Sequence, residues 1–475
     1  MSTIFISVPY VYPLCPLNFN HAKMFVVADV FARYLSNILN GTSKCNLIFP
    51  VASHYSGNTA QATAKLVQEF YSGIKGEQHK KIYNLYKNIY QIPSSIVSKF
   101  VDPDYLMNYF SEEIIWELQS LSISCDYNDF YNTQNKYWED FVRAIFRQYR
   151  EHDVLIQNKN HELAINYDNI EWKTKTIELL KGTDIKQLIH KNNILSSIEH
   201  TLSNNWECLR DNGCGVVLDS TGLIVDPMFD SELFMIFDLF IHWINKLQTN
   251  IHKLDVFFDT LFLAIQNNKL YKTNNITQEE IDLISYILKS LPCTLFVAEE
   301  HLKNWLGKKF YAEQLLIHPN LRTTSYRILG MGLLDGKRMS ASRGHTILTR
   351  KLIKDYGGEL SRLTILLSGG NISKTYNYEI HSPENAKQML NNFSDYLVFL
   401  KSSCVGGEQD FNWSYYEEKI NKLIEDGYLR QAIIELLVNI PSKHKYPNKD
   451  SMHQLLSFYK KYLYIFIPNY AKCHC

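Results

Sequence analysis

Hydrophobic positions change their spacing twice near the start of the chain. The segment STIFISVPYVY is almost continuously apolar, which predicts a buried strand followed by a loop rich in proline and asparagine. The next segment, HAKMFVVADVFARYLSNILNG, has apolar residues at helical spacing and a plausible helix stop at Asn40-Gly41. NLIFPVASHYSGN then predicts a second strand and loop. This strand–loop–helix–strand order is typical of a parallel α/β sheet.

The rest of the chain divides into stretches of different character. Residues 103–152 predict aromatic-rich helical hairpins, whereas residues 155–205 are polar, have a weak helical rhythm and look like an insertion between two halves of a domain. From Trp206 the α/β pattern returns in GVVLDSTGLIVDP and SLPCTLFVAEE. After about residue 348, apolar stripes recur at i, i+3, i+4 and i+7, which predicts a C-terminal helical bundle of roughly 120 residues.

Three loops are expected at the carboxyl ends of the predicted strands, where ligands of parallel sheets bind: 9–22, 49–59 and 335–346. The third lies within GMGLLDGKRMSASRGHTI, residues 330–347, which combines small, hydroxyl and cationic residues. These residue types together favour a loop that closes over an anion. The plainer interpretation is a solvated basic turn.

Composition narrows the class of protein only partly. A chain of 475 residues and 55.5 kDa has room for two to four domains, and 45% hydrophobic residues are enough for sizeable cores. Lys plus Arg equals Asp plus Glu at 49 each, so any surface that binds nucleic acid must be local.

The nine cysteines are scattered and include no CxxC pair. We interpret them as buried or incidental thiols in a reducing compartment, and we predict no metal site. The alternative is a zinc site begun by Cys208 and Cys214 or by Cys473-His474-Cys475, but such a site needs four ligands. The start of the chain has no basic targeting region, and no stretch approaches the roughly 18–20 uninterrupted apolar residues of a membrane span. We therefore expect a cytoplasmic protein.

The basic loop resembles the KMSKS loop of class I aminoacyl-tRNA synthetases, specifically of leucyl-tRNA synthetases of the archaeal and eukaryotic type. Residues 338–344, RMSASRG, stand where that family usually has K-M-S-K-S-K-G. The resemblance implies that the anion is the triphosphate of ATP and that the cations of the loop stabilise phosphate charge while an aminoacyl-adenylate forms. The same resemblance implies that Met339 contacts ATP. The candidate catalytic residues of the loop are Arg338, Ser340, Ser342 and Arg343.

A second match lies at PYVYPLCPLNFNHA, residues 9–22, where the family reads P-Y-P-Y-x-N-G-x-L-H-I-G-H-A. His21 keeps the last histidine of the HIGH motif, Asn18 replaces the first histidine and Asn20 replaces the glycine. The resemblance implies that these three residues and Pro16 bind ATP, with Asn18 and His21 acting on the phosphates. The glycine of the family lets adenine approach the backbone closely, and a side chain at Asn20 fills that space.

Further matches concern the amino acid and the ribose. NLIFPVASHYSGNTA, residues 46–60, resembles V-L-F-P-M-A-F-H-V-T-G-T-P, and DPMFDSELFMIFDLF, residues 226–240, resembles L-S-D-S-T-I-Y-M-A-Y-Y. LFVAEEHLKNWL resembles V-S-G-K-D-L-x-x-N-H-L, which makes Glu300 a contact to the ATP ribose and puts Trp305 in place of a histidine. The residues that the resemblance assigns to the amino-acid pocket are Tyr10, Tyr12, His54, Asp230 and Phe234.

Two departures from the family concern whole domains. The family has a large hydrolytic editing domain where this chain has residues 155–205, which contain no editing signature, so we expect no proofreading. YLYIFIPNYAKCHC looks like the start of the family stretch L-L-x-P-F-x-P-H-x-x-E-E-x-W, so we expect a truncated C-terminal region. The predicted fold is α/β, a Rossmann-type parallel-sheet class I synthetase catalytic domain followed by an α-helical bundle. Its predicted parts are 1–154 and 206–347 as the two halves of the catalytic domain, 155–205 as a short connective insertion and 348–475 as a helical domain resembling an anticodon-binding domain.

The resemblance implies an enzyme that activates leucine or a similar aliphatic amino acid with ATP and Mg²⁺. The aminoacyl group would pass to a tRNA or to another acceptor, such as a small amine or a carrier protein. The rival hypothesis is a catalytically decayed paralogue that binds an amino acid, a tRNA or a protein. Transfer from a charged tRNA without ATP is a third possibility.

The candidate residues also have plainer interpretations. His21 can be a core or helix-capping histidine, and the pocket residues can be ordinary packing under a loop. Asp230 can be the N-cap of the helix predicted for SELFMIFDLF, and Glu300 can be a solvated helix residue. A lysine cluster is usually a solvated face, although it could also bind tRNA phosphates. The cluster consists of the lysines at 443, 445, 449, 460 and 461.

Overall fold

Strands and helices alternate along the first two thirds of the chain, and helices dominate the rest. The computed structural model describes residues 3–39, 45–157, 163–166, 170–185, 192–196, 199, 206–211, 213–218, 222–302, 305–340, 344–379, 381–402, 412–444 and 449–474.

Within these ranges the strands are short. They are β1 (Thr3–Ser7), β2 (Asn46–Ile48), β3 (Ala52–Ser53), β4 (Tyr131–Asn132), β5 (Leu155–Gln157), β6 (Leu163–Ile165), β7 (Trp206–Glu207), β8 (Leu209–Arg210), β9 (Ile224–Val225), β10 (Thr294–Ala298), β11 (Ser325–Leu329), β12 (Gly332–Leu334), β13 (Lys337–Arg338) and β14 (Tyr376–Tyr378).

The helices differ widely in length. They are α1 (Phe19–Tyr34), α2 (Thr59–Tyr71), α3 (Glu77–Asn84), α4 (Ser94–Val97), α5 (Pro103–Ser120), α6 (Trp138–Glu151), α7 (Ile170–Gly182), α8 (Pro227–Asp230), α9 (Phe234–Leu247), α10 (Leu254–Asn267), α11 (Gln278–Ser290), α12 (Leu306–Leu316), α13 (Thr349–Tyr356), α14 (Gly358–Leu367), α15 (Ser382–Ser402), α16 (Trp413–Glu425), α17 (Leu429–Ile434), α18 (Ile440–Lys443), α19 (Lys449–Phe466) and α20 (Pro468–His474).

The chain forms two compact units, neither of which is a continuous stretch of sequence. Unit 1 contains Met1–Leu14, Asn46–Ser111 and Cys125–Arg327. Unit 2 contains Cys15–Cys45, Glu112–Ser124 and Ile328–Cys475. The domain boundaries after residues 154, 205 and 347 stay predictions.

A parallel sheet lies at the centre of unit 1. Its strands follow the order β11-β10-β1-β2, and β1 pairs in parallel with β2 on one side and β10 on the other. Thr3 lies opposite Asn46, and Ile6 lies opposite Thr294. The middle residues of β1 and β10 are buried, which agrees with strands that helices cover on both faces. The predicted α/β fold with a parallel sheet is confirmed.

The helices of unit 1 build a core rich in aromatic side chains. Helix α6 packs against α10, and α11 packs against both α9 and β1. Phe237 lies at the junction of these helices, with its ring centroid 4.9 Å from that of Trp138. A capping box fixes the start of α11, since the Thr277 hydroxyl accepts the Glu280 N–H at 3.2 Å and the Glu280 carboxylate accepts the Thr277 N–H at 2.7 Å.

The polar stretch 155–205 contains strands that its weak helical rhythm did not indicate. Strands β5, β6 and β7 form an antiparallel sheet, with Leu155 opposite Ile165 and Ile165 opposite Trp206. Strands of two or three residues are too short to show a period of two in the sequence. Helix α7 accounts for the helical part of the pattern, and much of 186–205 lies outside the described residues.

In unit 2, helix α1 packs against α14 and α19. A buried ion-pair network is centred on its residue Asp29. Asp29 on α1 is fully buried and lies 2.5 Å from Arg362 and 2.7 Å from Arg33. It also accepts the Ser124 N–H at 2.7 Å. Burial alone would raise the pKa of Asp29, but the two guanidinium groups outweigh it and hold that pKa below its usual range.

The C-terminal third is helical, as predicted. Its amphipathic stretches form α15, α16 with α17, and α19, and Phe393, Ile420 and Leu463 are among their buried side chains. No disulfide joins the cysteines among the described residues. Within the same ranges, none of the helices has the length and hydropathy needed to cross a membrane.

Candidate active site

Three loops of unit 1 start at the same edge of its sheet, because β2, β1 and β10 are parallel and adjacent. Tyr10 and Tyr12 lie in the loop after β1, His54 lies just past β3 in the segment after β2, and Glu300 lies in the exposed turn after β10. The His54 N–H donates to the Val11 carbonyl at 3.0 Å, which joins the first two loops. The ring centroids of Tyr12 and His54 are 4.9 Å apart. The structure therefore brings Tyr10, Tyr12 and His54 together.

His54 and Asp230 form a buried pair in unit 1. The His54 Nε2 atom lies 3.0 Å from Asp230 Oδ1, and both side chains are almost fully buried. Burial raises the pKa of Asp230, and the His54 imidazole opposes that effect. The pair offers a carboxylate with a hydrogen-bonding neighbour, which suits an ammonium ligand.

Asp230 is not the N-cap of the following helix, so that interpretation is wrong. It ends α8, whereas α9 begins at Phe234 after an N-cap at Leu233. The physical reason is a second helix start just upstream. Asp226 caps α8 by accepting the Met228 N–H at 2.8 Å, and Pro227 occupies the first helical position.

Phe234 lies against Tyr10, with ring centroids 4.8 Å apart. The Tyr10 hydroxyl contacts the Tyr131 hydroxyl and donates to Asp238 at 3.3 Å, and Tyr131 donates to Asp238 at 2.8 Å. Burial raises the pKa of Asp238 well above its usual range, and the hydrogen bond from Tyr10 only partly offsets that effect. Trp305 lies 6.0 Å from Phe234 and is buried. Aromatic rings thus cluster at the start of α9, next to the buried carboxyl group of Asp238.

Sequence reasoning missed Asp238 and Tyr131. The available signal was an acidic residue inside the otherwise apolar run FMIFDLF of α9. Phe234 and Asp238 are four residues apart on this helix and therefore lie on the same face.

In unit 2, Asn18 caps α1. Its side-chain oxygen accepts the His21 N–H at 2.9 Å, so the capping alternative for His21 is wrong. Because the cap uses the amide oxygen, the amide nitrogen is the group that can donate to a ligand. His21 is half-buried in the first turn of α1, and Pro16 is buried in the loop before it.

The Asn20 side chain contacts the strand that leads into the basic loop. Its Oδ1 atom accepts the Gly332 N–H at 3.0 Å and the Tyr376 hydroxyl at 2.9 Å. The approach requires glycine, since a Cβ atom at Gly332 would lie 2.2 Å from Asn20 Oδ1. The backbone N–H of Gly332, the first residue of β12, is therefore already hydrogen-bonded to the side-chain amide of Asn20.

The basic loop begins as a β-hairpin of unit 2, formed by β12 and β13. Asp335 and Gly336 connect the strands with φ angles of 52° and 72°, which identify a type I′ turn. Arg338 on β13 is exposed. An Asp-Gly pair between apolar and polar strand residues is a strong hairpin signal, and it was present in the sequence.

Beyond the hairpin, Met339 is buried, and Ser340 exchanges two backbone hydrogen bonds with His345, at 2.8 and 3.1 Å. These bonds close the base of the loop. Of the predicted loop residues, Ser342 and Arg343 lie outside the described residues.

The two family-like motifs of unit 2 are joined by backbone hydrogen bonds. The Phe19 N–H donates to the Ile347 carbonyl and the Thr349 N–H donates to the Leu17 carbonyl, both at 2.9 Å. The segment that contains Asn18 therefore pairs with the segment that follows the basic loop.

Lys23 is a further buried group of α1 that sequence reasoning missed. Its Nζ atom donates to the Ser368 carbonyl at 3.1 Å and lies 3.4 Å from the centroid of the Tyr376 ring. Burial lowers the pKa of Lys23 to about 7. The helical spacing predicts that this position is buried. It does not predict which distant residues contact the lysine side chain.

We expect Lys23→Met to change how the stability of unit 2 depends on pH. An unfolded lysine has a pKa of about 10.5 and the folded one about 7, so between these values the unfolded chain holds a proton that the folded chain lacks. Stability should therefore rise with pH in this window, by about 1.4 kcal/mol per pH unit from this residue. Urea unfolding between pH 7 and pH 10 should lose that slope in Lys23→Met and keep it in the exposed control Lys354→Met. An equal slope in both variants would contradict the assignment.

Comparisons with known proteins bear on the family resemblance and on the fold. No protein-family model matches the chain. Leucine–tRNA ligase 2 of Sulfolobus acidocaldarius is 30% identical over 154 residues, which are 32% of this chain and 15% of that protein. Leucine–tRNA ligase 1 of the same organism is 31% identical over 155 residues, or 33% and 15%. Leucine–tRNA ligase of Methanopyrus kandleri is 24% identical over 187 residues, or 38% and 18%. These matches thus span less than a fifth of the length of these relatives.

The fold itself is shared along the whole chain. The crystal structure of Mycobacterium tuberculosis methionyl-tRNA synthetase bound by methionyl-adenylate superposes with a TM-score of 0.62, covering 99% of this chain and 93% of that one at 10% identity. Such a likeness shows a common fold. Together with the partial matches to leucine–tRNA ligases, it shows that this chain resembles class I aminoacyl-tRNA synthetases.

Proposed function

We propose that the chain activates leucine or a similar aliphatic amino acid with ATP, forming an aminoacyl-adenylate in the cytoplasm. The observation that carries this proposal is the backbone pairing of Leu17–Phe19 with Ile347–Thr349, which joins the segment of Asn18 to the end of the basic loop. The relatives named leucine–tRNA ligase make leucine the first amino acid to test.

The chemistry needs positioning and charge stabilisation more than proton transfer. A carboxylate oxygen of the amino acid attacks the α-phosphorus in line, an acyl–phosphate bond forms, and the bond to pyrophosphate breaks. Arg338, His21 and the Asn18 amide would stabilise negative charge on the phosphates, and Ser340 would add a hydroxyl donor. The loop residues Ser342 and Arg343 belong to the same proposal.

Mg²⁺ would neutralise charge on the triphosphate when ATP is bound. The donors at the two motifs of unit 2 are mainly a guanidinium group, an imidazole and an amide, which suit phosphate oxygens better than a hard cation. The chain would therefore hold the metal through the nucleotide.

The amino acid would bind at the sheet edge of unit 1. The rings of Tyr10, Phe234 and Trp305 lie close together and would form an apolar wall against an aliphatic side chain, and Tyr12 lies by His54. Asp230 would accept the α-ammonium group, held in place by His54 at 3.0 Å. Glu300, after β10, would contact the ribose.

The acceptor of the aminoacyl group is a tRNA, a carrier protein or a small amine, and no proofreading is part of the proposal. Lys443, Lys460 and Lys461 are exposed and could contact tRNA phosphates, although Lys461 also pairs with Glu417 at 2.7 Å. Lys445 and the side chain of Lys449 lie outside the described part of the structure. Incubating preformed adenylate with each acceptor class would decide between them, because a non-tRNA acceptor is ruled out if only tRNA becomes charged.

Amino-acid-dependent exchange of pyrophosphate into ATP tests the activation step without any acceptor. We expect exchange with leucine or another aliphatic amino acid in the presence of Mg²⁺. The proposal fails if a folded sample catalyses no exchange with any amino acid.

A second candidate function, a paralogue that binds ligands without using ATP, is favoured by Asn20. Its amide occupies the Gly332 N–H at 3.0 Å, a backbone donor at the foot of the basic loop. By the family resemblance, adenine needs this space, so the nucleotide site would be closed and the amino-acid site would remain.

Asn20→Gly separates these two functions. Removing the amide frees the Gly332 N–H, and we expect it to tighten ATP binding about tenfold, the contribution of one good hydrogen bond. Asn20→Ala is the matched control, since it loses the same hydrogen bonds but keeps a Cβ atom. Calorimetric ATP binding by the unaltered chain would count against the second candidate, whereas binding seen only in Asn20→Gly would favour it.

A further inference from the structure

Glu117 is a fully buried carboxylate near the end of α5, in unit 2. Its Oε2 atom accepts the Leu17 N–H and its Oε1 atom accepts the Arg350 N–H, both at 2.8 Å. Each oxygen thus has its own backbone donor, and the two donors are far apart in sequence.

These two donors belong to the segments that carry the nucleotide-binding candidates. Leu17 immediately precedes Asn18, and Arg350 is the second residue of α13, which follows the basic loop. The Arg350 N–H is among the helix-starting groups that no intrahelical carbonyl can satisfy, and the positive end of the helix favours a carboxylate there. The same two segments are already paired through Phe19–Ile347 and Leu17–Thr349.

Burial at this position disfavours the ionised form of the Glu117 side chain. Burial raises the pKa of Glu117 well above its usual range, and the nearby Glu113 acts in the same direction, while the two backbone N–H groups oppose both. A buried carboxylate that bonds both segments fixes their relative position in a way that a residue with one acceptor cannot.

We propose that Glu117 is a positioning residue, which holds the Asn18 segment and the start of α13 in the register that nucleotide binding requires. This inference rests on the proposed function of the same site. Glu117 does not touch the nucleotide and acts only through the backbone of Leu17 and Arg350.

Glu117→Gln tests the inference, because an amide keeps the shape but can accept only one of the two N–H groups. Glu113→Gln is the matched control. Glu113 lies on the same helix and pairs with the Arg350 side chain at 3.2 Å, so this change also removes one negative charge without touching either backbone bond. Two readouts are needed: amide hydrogen exchange at Leu17 and Arg350, and the ATP KM and kcat of pyrophosphate exchange.

For Glu117→Gln we expect at least one of the two amides, the one that loses its acceptor, to exchange about tenfold faster. The ATP KM should rise about tenfold, with kcat for bound substrate changed less. Glu113→Gln should leave both amides protected. If neither amide exchanges faster in Glu117→Gln, Glu117 does not hold the two segments together, and the inference is overturned. If exchange is faster but the ATP kinetics match those of Glu113→Gln, Glu117 stabilises the fold and does not position the nucleotide site.

A second variant, Glu117→Asp, tests the same inference if Glu117→Gln does not fold. Glu117→Asp keeps the carboxyl group on a side chain shorter by one methylene, which we expect to reach only one donor, so it should give the same pattern as Glu117→Gln. If the unaltered chain neither binds ATP nor catalyses exchange, the proposed function fails and the positioning role falls with it. The amide exchange data would still decide whether Glu117 holds the backbone of Leu17 and Arg350 in place.

Discussion

Replacing Arg362 with methionine is expected to lower the free energy of unfolding of unit 2 by about 3–5 kcal/mol, because it breaks a buried ion pair from one side. Arg362 and Asp29 are both fully buried, and their closest atoms are 2.5 Å apart. Arg362 also donates to the carbonyls of Leu121 and Phe466, at 3.1 and 2.6 Å. Methionine fills much of the volume but leaves the Asp29 charge and both carbonyls without these donors.

The expected loss is measured by urea unfolding, with amide exchange in α1 and α14 used to follow unit 2. Lys351→Met is the control from the same unit, since Lys351 forms an exposed ion pair with Asp355 on one helix, with the lysine side chain 66% exposed. Such pairs contribute about 0.5 kcal/mol or less. Equal losses in the two variants would show that the Asp29–Arg362 pair does not hold α1 in place.

Replacing Arg338 with alanine is expected to reduce kcat of amino-acid-dependent pyrophosphate exchange about 100- to 1,000-fold, the usual effect of losing one group that stabilises transition-state charge. The KM for the amino acid should change little, because the proposal has Arg338 act on the phosphates of ATP and not on the amino acid. Arg338→Lys should recover part of the rate, since it restores the charge without the planar fork.

Lys337→Ala is the matched control for Arg338. The two residues are adjacent on β13 and both are exposed, but side chains alternate across a strand and so point to opposite faces. A charge effect of the whole hairpin would reduce the rate equally in Lys337→Ala and Arg338→Ala. A specific phosphate role predicts a large loss only for Arg338→Ala, and equal losses would rule that role out.

The parallel sheet and the helical C-terminal third could be predicted because their hydrophobic patterns are long and regular. The details of the site depended on shorter signals. The Asp335-Gly336 turn and the Asp226-Pro227 helix start are both visible in the sequence, and recognising the second would have excluded Asp230 as a cap.

Buried polar residues could not be predicted in the same way. Asp238, Lys23 and Glu117 lie in apolar or mixed helical stretches, where the helical period predicts burial but not the partner that satisfies each group. Those partners are far away in sequence, as when Glu117 accepts the Arg350 N–H across 233 positions. Only the folded backbone shows which donors reach each carboxylate.

The most direct test of the central claim, that this chain activates an amino acid with ATP, is mass spectrometry of the small molecules released from the denatured protein after incubation with ATP, Mg²⁺ and leucine. The account predicts leucyl-adenylate, or the adenylate of a similar aliphatic amino acid, whose mass shifts when the amino acid is isotopically labelled and which disappears when ATP is omitted. A folded sample that returns only unreacted ATP and amino acid, with every proteinogenic amino acid tried, would contradict it.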